Sequence, residues 1–252
     1  MKIQSAGSTH VGRVRTSNED HYGVFDDLEL FVVADGMGGH AAGEVASSMA
    51  VQTIRSAFAE AGAERTLPTD GSYDPGRRLV WAIEQANQQI FHAGSENPAL
   101  GGMGTTVVAV WVDDDNAYVA HVGDSRVYRI HAGGIEQVTS DHSLVNDYLS
   151  RGIMTPAEAA VHPMKHVLIR ALGTAPSVSV DIRRVPLQTG DILLLCSDGL
   201  SNIVPPDEIA SILSKASTDD LPARCQALID AANRRGGLDN ITAVLVLADA
   251  RP

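Results

Sequence analysis

Short runs of Val, Ile, Leu and Ala, each interrupted by turn residues, set the rhythm of this chain. His21–Phe25 and Glu29–Ala34 have the length and β-branched content of strands, with Asp26-Asp27 turning the chain between them. From Gly43 onward the period changes. Val45, Met49, Ile54 and Phe58 recur at near-helical spacing, and so do Leu79, Ile83, Ala86, Ile90 and Phe91. Between these two helices, Ala61 to Gly76 carries Pro68, Asp70-Gly71 and Pro75-Gly76, which predicts a polar, mobile connecting loop.

The middle third reads as β-rich. Thr105–Val112, Ala117–Val122, Arg126–Ile130 and Ile135–Val138 are separated by Asp113-Asp114-Asp115-Asn116, Gly123-Asp124-Ser125 and Ala132-Gly133-Gly134. Such short spacings predict hairpins and an antiparallel sheet. An irregular, partly helical stretch follows from Thr139 to Leu172. Within it, Thr155-Pro156-Ala157-Glu158 opens a helix, with Thr as N-cap, Pro in the first turn and Glu closing a capping box. Strands return at Val178–Val185 and Asp191–Ser197, then helices at Asp207–Ser214 and Leu221–Arg234, then a last strand at Ile241–Leu247. Strands far apart in sequence with paired helices between them predict two packed sheets flanked by helices.

Composition narrows the class. The chain has 252 residues and is 44% hydrophobic, enough to bury a sizeable core, and nothing marks a second one. A net charge of −12 argues against a general nucleic-acid binder, which needs a basic face. Cys196 sits in the apolar run Ile192-Leu193-Leu194-Leu195 and reads as a small buried hydrophobe. The start, Met1-Lys2-Ile3-Gln4-Ser5, has no signal-peptide core, and no apolar run is long enough to span a bilayer. These features predict a soluble, cytoplasmic protein with no membrane partner.

Acidic residues recur at one kind of place. Asp35-Gly36, Gly123-Asp124 and Asp198-Gly199 each follow an apolar run, and Asp239-Asn240 directly precedes the last strand. Each Asp-Gly alone is also an ordinary turn. If the last strand runs antiparallel to its neighbours, however, four aspartates converge at one rim. Two carboxylates ~4 Å apart repel by roughly 4 kcal/mol at an effective dielectric of about 20, so such a rim binds cations or takes up protons. Oxygen ligands without clustered Cys or His favour Mg²⁺ or Mn²⁺ over Zn²⁺. A pair of such ions suits phosphoryl hydrolysis. Arg15, followed closely by Glu19 and Asp20, brings a guanidinium whose fork matches phosphate oxygens, although the stretch also reads as a solvated charged turn.

Four blocks together resemble the metal-dependent protein phosphatase family (PPM, or type 2C) in its compact bacterial form. They are Gly12-x-Val-Arg15-x-x-Asn18-Glu19-Asp20; Val33-Ala34-Asp35-Gly36-Met37-Gly38-Gly39-His40; Gly104-Thr105-Thr106 with His121-x-Gly123-Asp124-Ser125-Arg126; and Cys196-Ser197-Asp198-Gly199-Leu200 with Gly237-Leu238-Asp239-Asn240-Ile241-Thr242. The resemblance implies a four-layer α/β (α+β) sandwich, two antiparallel sheets between pairs of helices, formed by one catalytic domain over 1–252 with a flap over about 139–172. It implies a serine/threonine protein phosphatase using Mn²⁺ or Mg²⁺, two core ions and a weaker third, and direct attack by a metal-bridging hydroxide.

Roles follow by position. Asp35 corresponds to the carboxylate bridging two metals, with the Gly36 carbonyl on the second. Asp198 and Asp239 correspond to ligands of the first metal, and Asp124 to a ligand of the third, shared with Asp198. Asp20 and Glu19 match positions that hold metal-bound waters, Asn240 orients its neighbouring ligand, and Arg15 matches the phosphate-binding arginine. The implied partners are phosphorylated proteins and a cognate serine/threonine kinase, with the phosphatase itself a monomer.

One position departs from the pattern. Eukaryotic relatives carry a histidine, proposed as general acid, directly after the Asp-Gly pair; here Met37 stands there and the histidine is His40. His162 and His166, four apart with Pro163 between them, are candidates for substrate contact rather than a helical zinc pair. A non-catalytic phosphoprotein binder on the same fold is the rival, although every ligand position is filled. Action on small esters or phosphotyrosine is another.

Overall fold

Ile192–Cys196 is apolar at every position because its strand is covered on both faces. Leu193 and Leu195 pack between two sheets, while Ile192, Leu194 and Cys196 pack against helices. The same alternation runs along Leu30–Ala34, with Phe31 and Val33 between the sheets and Leu30, Val32 and Ala34 under the helices on the other side. The structure, a computed structural model, describes residues 1–38, 41–63, 75–214 and 220–250.

The strands are β1 (Lys2–His10), β2 (Asp20–Phe25), β3 (Leu30–Met37), β4 (Gly104–Thr105), β5 (Val107–Asp113), β6 (Asn116–Val122), β7 (Arg126–His131), β8 (Gly134–Gln137), β9 (Asp181–Pro186), β10 (Ile192–Cys196) and β11 (Ile241–Asp249). Among the described residues one sheet has the order β1-β11-β10-β7-β8 and the other β2-β3-β5-β6-β9, with β4 beside β3 and every pairing antiparallel. Helices α1 (Ala41–Ala63) and α2 (Gly76–Glu96) cover the second sheet. The short α5 (Asp198–Ser201), α6 (Pro206–Leu213) and α7 (Leu221–Arg234) cover the first. Between β8 and β9 lie α3 (Leu144–Ser150) and α4 (Pro156–Val161), the latter opened by the expected capping box of Thr155 and Glu158. The four-layer arrangement of helices outside two antiparallel sheets is therefore present.

Several expectations need correction. Lys2–His10 forms a strand that its Ser, Gly and Thr content concealed; it lies along β11 at the sheet edge. The expected strand Thr105–Val112 is split at Thr106, whose backbone N–H and side chain both turn to Asp35. Gly123-Asp124-Ser125 does not close a hairpin: it carries the chain from β6 in one sheet to β7 in the other. Gly123 makes that corner at φ +107°, where an added Cβ would lie 2.6 Å from Thr106. Val178–Val180 precede the strand rather than belonging to it, and α1 continues through Ala63. The rest of the expected mobile loop, 64–74, lies outside the described residues.

Register explains why distant aspartates meet. Asp20 faces Asp35 across β2 and β3. Cys196 faces Ala243 on β11 and Arg126 on β7, so the end of β10 lies beside the starts of both neighbours. Asp198, Asp239 and Asp124 consequently emerge at one rim.

Candidate metal and phosphate site

A cavity of about 610 Å³ opens at that rim, lined by Arg15, Glu19, Asp35, Gly36, Asp124, His166, Leu168, Asp198, Asp239 and Asn240 among others. Asp35 is held from behind by the Gly104-Thr105-Thr106 block. Thr106 N–H and Thr105 Oγ1 each donate to the Asp35 carbonyl at 2.9 Å, and Asp35 N–H donates to Thr106 Oγ1 at 3.1 Å. Thr106 Oγ1 also lies 2.7 Å from Ser125 Oγ, which ties this block to the Asp124 corner. Gly36 is wedged between α1 and the Glu19 backbone. A Cβ there would lie 2.2 Å from the Gly43 carbonyl oxygen and 2.6 Å from that of Glu19.

Asn240 joins the last motif to the first. Its Oδ1 accepts from Glu19 N–H at 2.8 Å, and its Nδ2 donates to the Val11 and Ser17 carbonyls at 3.0 and 2.9 Å. Its backbone N–H donates to Asp239 Oδ1 at 2.8 Å. The backbone thus orients the neighbouring aspartate while the side chain fixes the Arg15-bearing loop. Arg15 Nη2 donates to Asp239 Oδ2 at 2.8 Å across the cavity mouth.

The carboxylates strain against one another. Burial, then Asp20, Asp198, Asp124 and Asp239, hold the Asp35 carboxyl well above its ordinary range. Burial pushes Asp124 up to about 7, with Asp198 and Asp141 adding to it. Asp198 is raised by burial and by Asp239, relieved in part by a hydrogen bond shared with Asp35. Asp20, absent from the cavity lining, is pushed up to about 7 by burial against two hydroxyl hydrogen bonds. Its Oδ1 is buried without a hydrogen-bond partner among the described residues. Hard oxygen donors, mutual repulsion and an orphaned carboxylate oxygen fit divalent cations and their waters.

The remaining candidates divide. His166 and Leu168, from the segment after α4, form part of the cavity wall, whereas His162 is not among its lining residues. His40 lies outside the described residues. A second cluster, His121, His142 and Asp181, could in composition hold a metal. Arg170 already supplies its cation: Nη1 is 2.6 Å from Asp181 Oδ1 and 3.1 Å from His142 Nε2.

The family profile described as Protein phosphatase 2C matches residues 6–235. The chain belongs to that family. As a protein phosphatase it is 43% identical over 244 residues to the serine/threonine phosphatase stp of Listeria monocytogenes serotype 4b, an alignment covering 96% of this chain and 94% of the relative. Its fold matches the serine/threonine phosphatase PstP/Ppp of Mycobacterium tuberculosis with a TM-score of 0.86 at 33% identity, covering 98% and 99% of the two chains. A structure of the PstP catalytic domain in complex with 2 manganese ions matches with a TM-score of 0.83 at 33% identity, covering 98% of this phosphatase and 99% of that chain. Divalent metals are general to the family. Among the described residues, no helix of this phosphatase is long and apolar enough to cross a membrane.

Proposed function

We propose that this phosphatase hydrolyses phosphoserine and phosphothreonine esters on proteins at the rim cavity, with Mn²⁺ or Mg²⁺ held by its aspartates. The observation that carries the reading is one cavity bordered by four aspartates, Asp35, Asp124, Asp198 and Asp239, with a guanidinium at its mouth. Asp35, the Gly36 carbonyl, Asp198 and Asp239 are the residues that would hold two core ions. Asp124 with Asp198 would hold a weaker third. Such ions, when bound, make water nucleophilic at neutral pH and neutralise charge on phosphoryl oxygens.

The chain's own groups do the rest. Arg15, half exposed and swung onto Asp239, presents its fork to the incoming phosphate and stabilises charge that grows on the equatorial oxygens. Asn240 keeps Glu19 and the Arg15 loop in register with Asp239. Glu19 and Asp20 stand behind the ligands as hydrogen-bond acceptors for water. His166 and Leu168 place the segment over 139–172 at the cavity edge, where it acts as a flap against the phosphoprotein. We assign 1–252 to one catalytic domain, acting as a monomer opposite a serine/threonine kinase.

The test is turnover of a phosphothreonine peptide by purified protein. Activity should require added Mn²⁺ or Mg²⁺, vanish in excess chelator, and fall by more than about 1,000-fold in Asp35→Asn and Asp239→Asn. Full activity in metal-free buffer sinks the reading.

A further inference from the structure

Three residues of the motif blocks, Asn18, Ser197 and Thr242, have no part in the chemistry described so far, yet all three converge on Asp20. Ser197 Oγ donates to Asp20 Oδ2 at 2.7 Å, and Thr242 Oγ1 donates to the same oxygen at 2.6 Å. Asp20, Ser197 and Thr242 are all buried. The two hydroxyls come from the far sheet: Ser197 directly precedes Asp198, and Thr242 lies just after Asp239-Asn240. Asp20 itself begins β2 opposite Asp35 in the near sheet.

Donor and acceptor roles in this cluster are fixed. Ser197 Oγ accepts from Thr242 N–H at 3.0 Å, so its own proton is free for the carboxylate. Thr242 Oγ1 lies 2.7 Å from Thr9 Oγ1. Because the Thr242 proton lies on Asp20, the proton between the two threonines belongs to Thr9. Thr9 Oγ1 in turn accepts from Asn18 Nδ2 at 2.9 Å. Every donor in the line Asn18, Thr9, Thr242 points toward one carboxylate oxygen, each bond polarising the next. Asn18 Oδ1 accepts the Asp20 N–H at 3.2 Å and closes the loop.

Asp20 is therefore a carboxylate with two unlike oxygens. Oδ2 is saturated by hydroxyls, and Oδ1 is buried without a hydrogen-bond partner among the described residues. The backbone atoms of Ser197 and Thr242 already pair β10 with β11, since Ser197 N–H donates to the Thr242 carbonyl at 3.2 Å. The Thr242 hydroxyl takes no part in that pairing, while Ser197 Oγ both accepts the Thr242 N–H and donates to Asp20.

We infer that Ser197 and Thr242 are positioning residues: their hydroxyls lock the Asp20 carboxylate across the gap between the sheets, so that its bare oxygen serves the water shell of the bound cations. The inference rests on the metal reading given above. It assigns the hydroxyls of both blocks to the placement of an acceptor rather than to the cations or the phosphate.

The experiment compares Ser197→Ala, Thr242→Val and the conservative Thr242→Ser. Mn²⁺ binding to chelator-stripped protein is followed by calorimetry, and turnover of a phosphothreonine peptide is measured separately. Groups that orient a metal site from behind change affinity by about 10- to 100-fold. Ser197→Ala and Thr242→Val should weaken Mn²⁺ by about tenfold and lower kcat, with KM for the peptide within about twofold of wild type. Thr242→Ser should restore both, which a methyl-packing role does not predict. Wild-type Mn²⁺ affinity in Ser197→Ala and Thr242→Val overturns the inference. If Thr242→Val does not fold, Ser197→Ala decides by the same criterion. If the unsubstituted protein takes up no Mn²⁺, the metal reading has failed and the inference falls with it; Mn²⁺ binding equally tight in every variant removes the inference alone.

Discussion

Arg15 is the residue whose present contact and proposed task differ most. Its guanidinium lies on Asp239, where it offsets a charge that a cation would otherwise share. Replacing it with Ala removes a charge-assisted, two-pronged hold on phosphate, a contact of about 1.5–3 kcal/mol. Steady-state kinetics of Arg15→Ala should show KM raised by about tenfold or more, with Mn²⁺ affinity by calorimetry no weaker than wild type. Unchanged kinetic constants would mean that Arg15 serves only as the counter-ion of Asp239. The aspartates at this rim were legible in the sequence because each abuts an apolar run, and a buried strand delivers its first polar residue to a sheet end. Glu19 and Asn240 drew attention only through their neighbours, Arg15 and Asp239, and through the two motif blocks that hold them. That Glu19 accepts a hydrogen bond from α1-side Ser47 through its carbonyl, and that Asn240 anchors the Arg15 loop, depends on contacts between residues more than 200 apart or across elements.

At the scale of elements, periodicity located what is buried on one stripe or on both faces. The helices α2 and α7 carry clear apolar faces and lie almost where spacing put them. β1 was invisible because its partly buried run of Ser, Ala, Gly and Thr has no strong alternation, and its register is set by pairing with β11. The corner at Gly123-Asp124-Ser125 was misread for a related reason: a three-residue link does not say whether the next strand turns back or crosses to the facing sheet. Asp124 thus comes from a corner between the two sheets, whereas Asp35, Asp198 and Asp239 come from β3 and from the adjoining ends of β10 and β11. Asp124→Ala should therefore leave Asp35, Asp198 and Asp239 to hold two cations and remove a weaker third. The expected outcome is a large fall in kcat with KM nearly retained, and a metal titration that loses only its weak phase. Loss of all metal binding, or wild-type turnover, would remove Asp124 from that role.

For the molecule as a whole, the buried acids couple stability to pH. Asp20 and Asp124 are each pushed up to about 7, against 3.8 for a free side chain. Between those values the folded metal-free protein holds protons that the unfolded chain has released, so these groups favour folding at low pH and oppose it as pH rises through about 7. His142, lowered to about 4 by burial and by His121 and Arg170, acts in the opposite direction below 6.5, with or without metal. The difference in Tm between Mn²⁺-loaded and chelated protein isolates the carboxylates. It should widen as pH rises from about 5 to about 7.5, by about 5 °C or more in a thermal melt. A constant difference would mean that cations do not relieve this repulsion.

The edge strand β1 also has a bearing on synthesis. Thr9 meets Thr242, 233 residues further along, and β11 is enclosed between β1 and β10. During synthesis β1 stays unpaired until β11 has left the exit tunnel, since among the described residues β11 is its one strand partner. Contacts of such wide sequence separation form late and slowly. Asp239 precedes β11 by two residues, so the strand that shields β1 brings the last of the four aspartates with it. On the proposed metal reading, a nascent chain has no complete site to release early: the acidic rim and the finished sheet arrive in the same folding event.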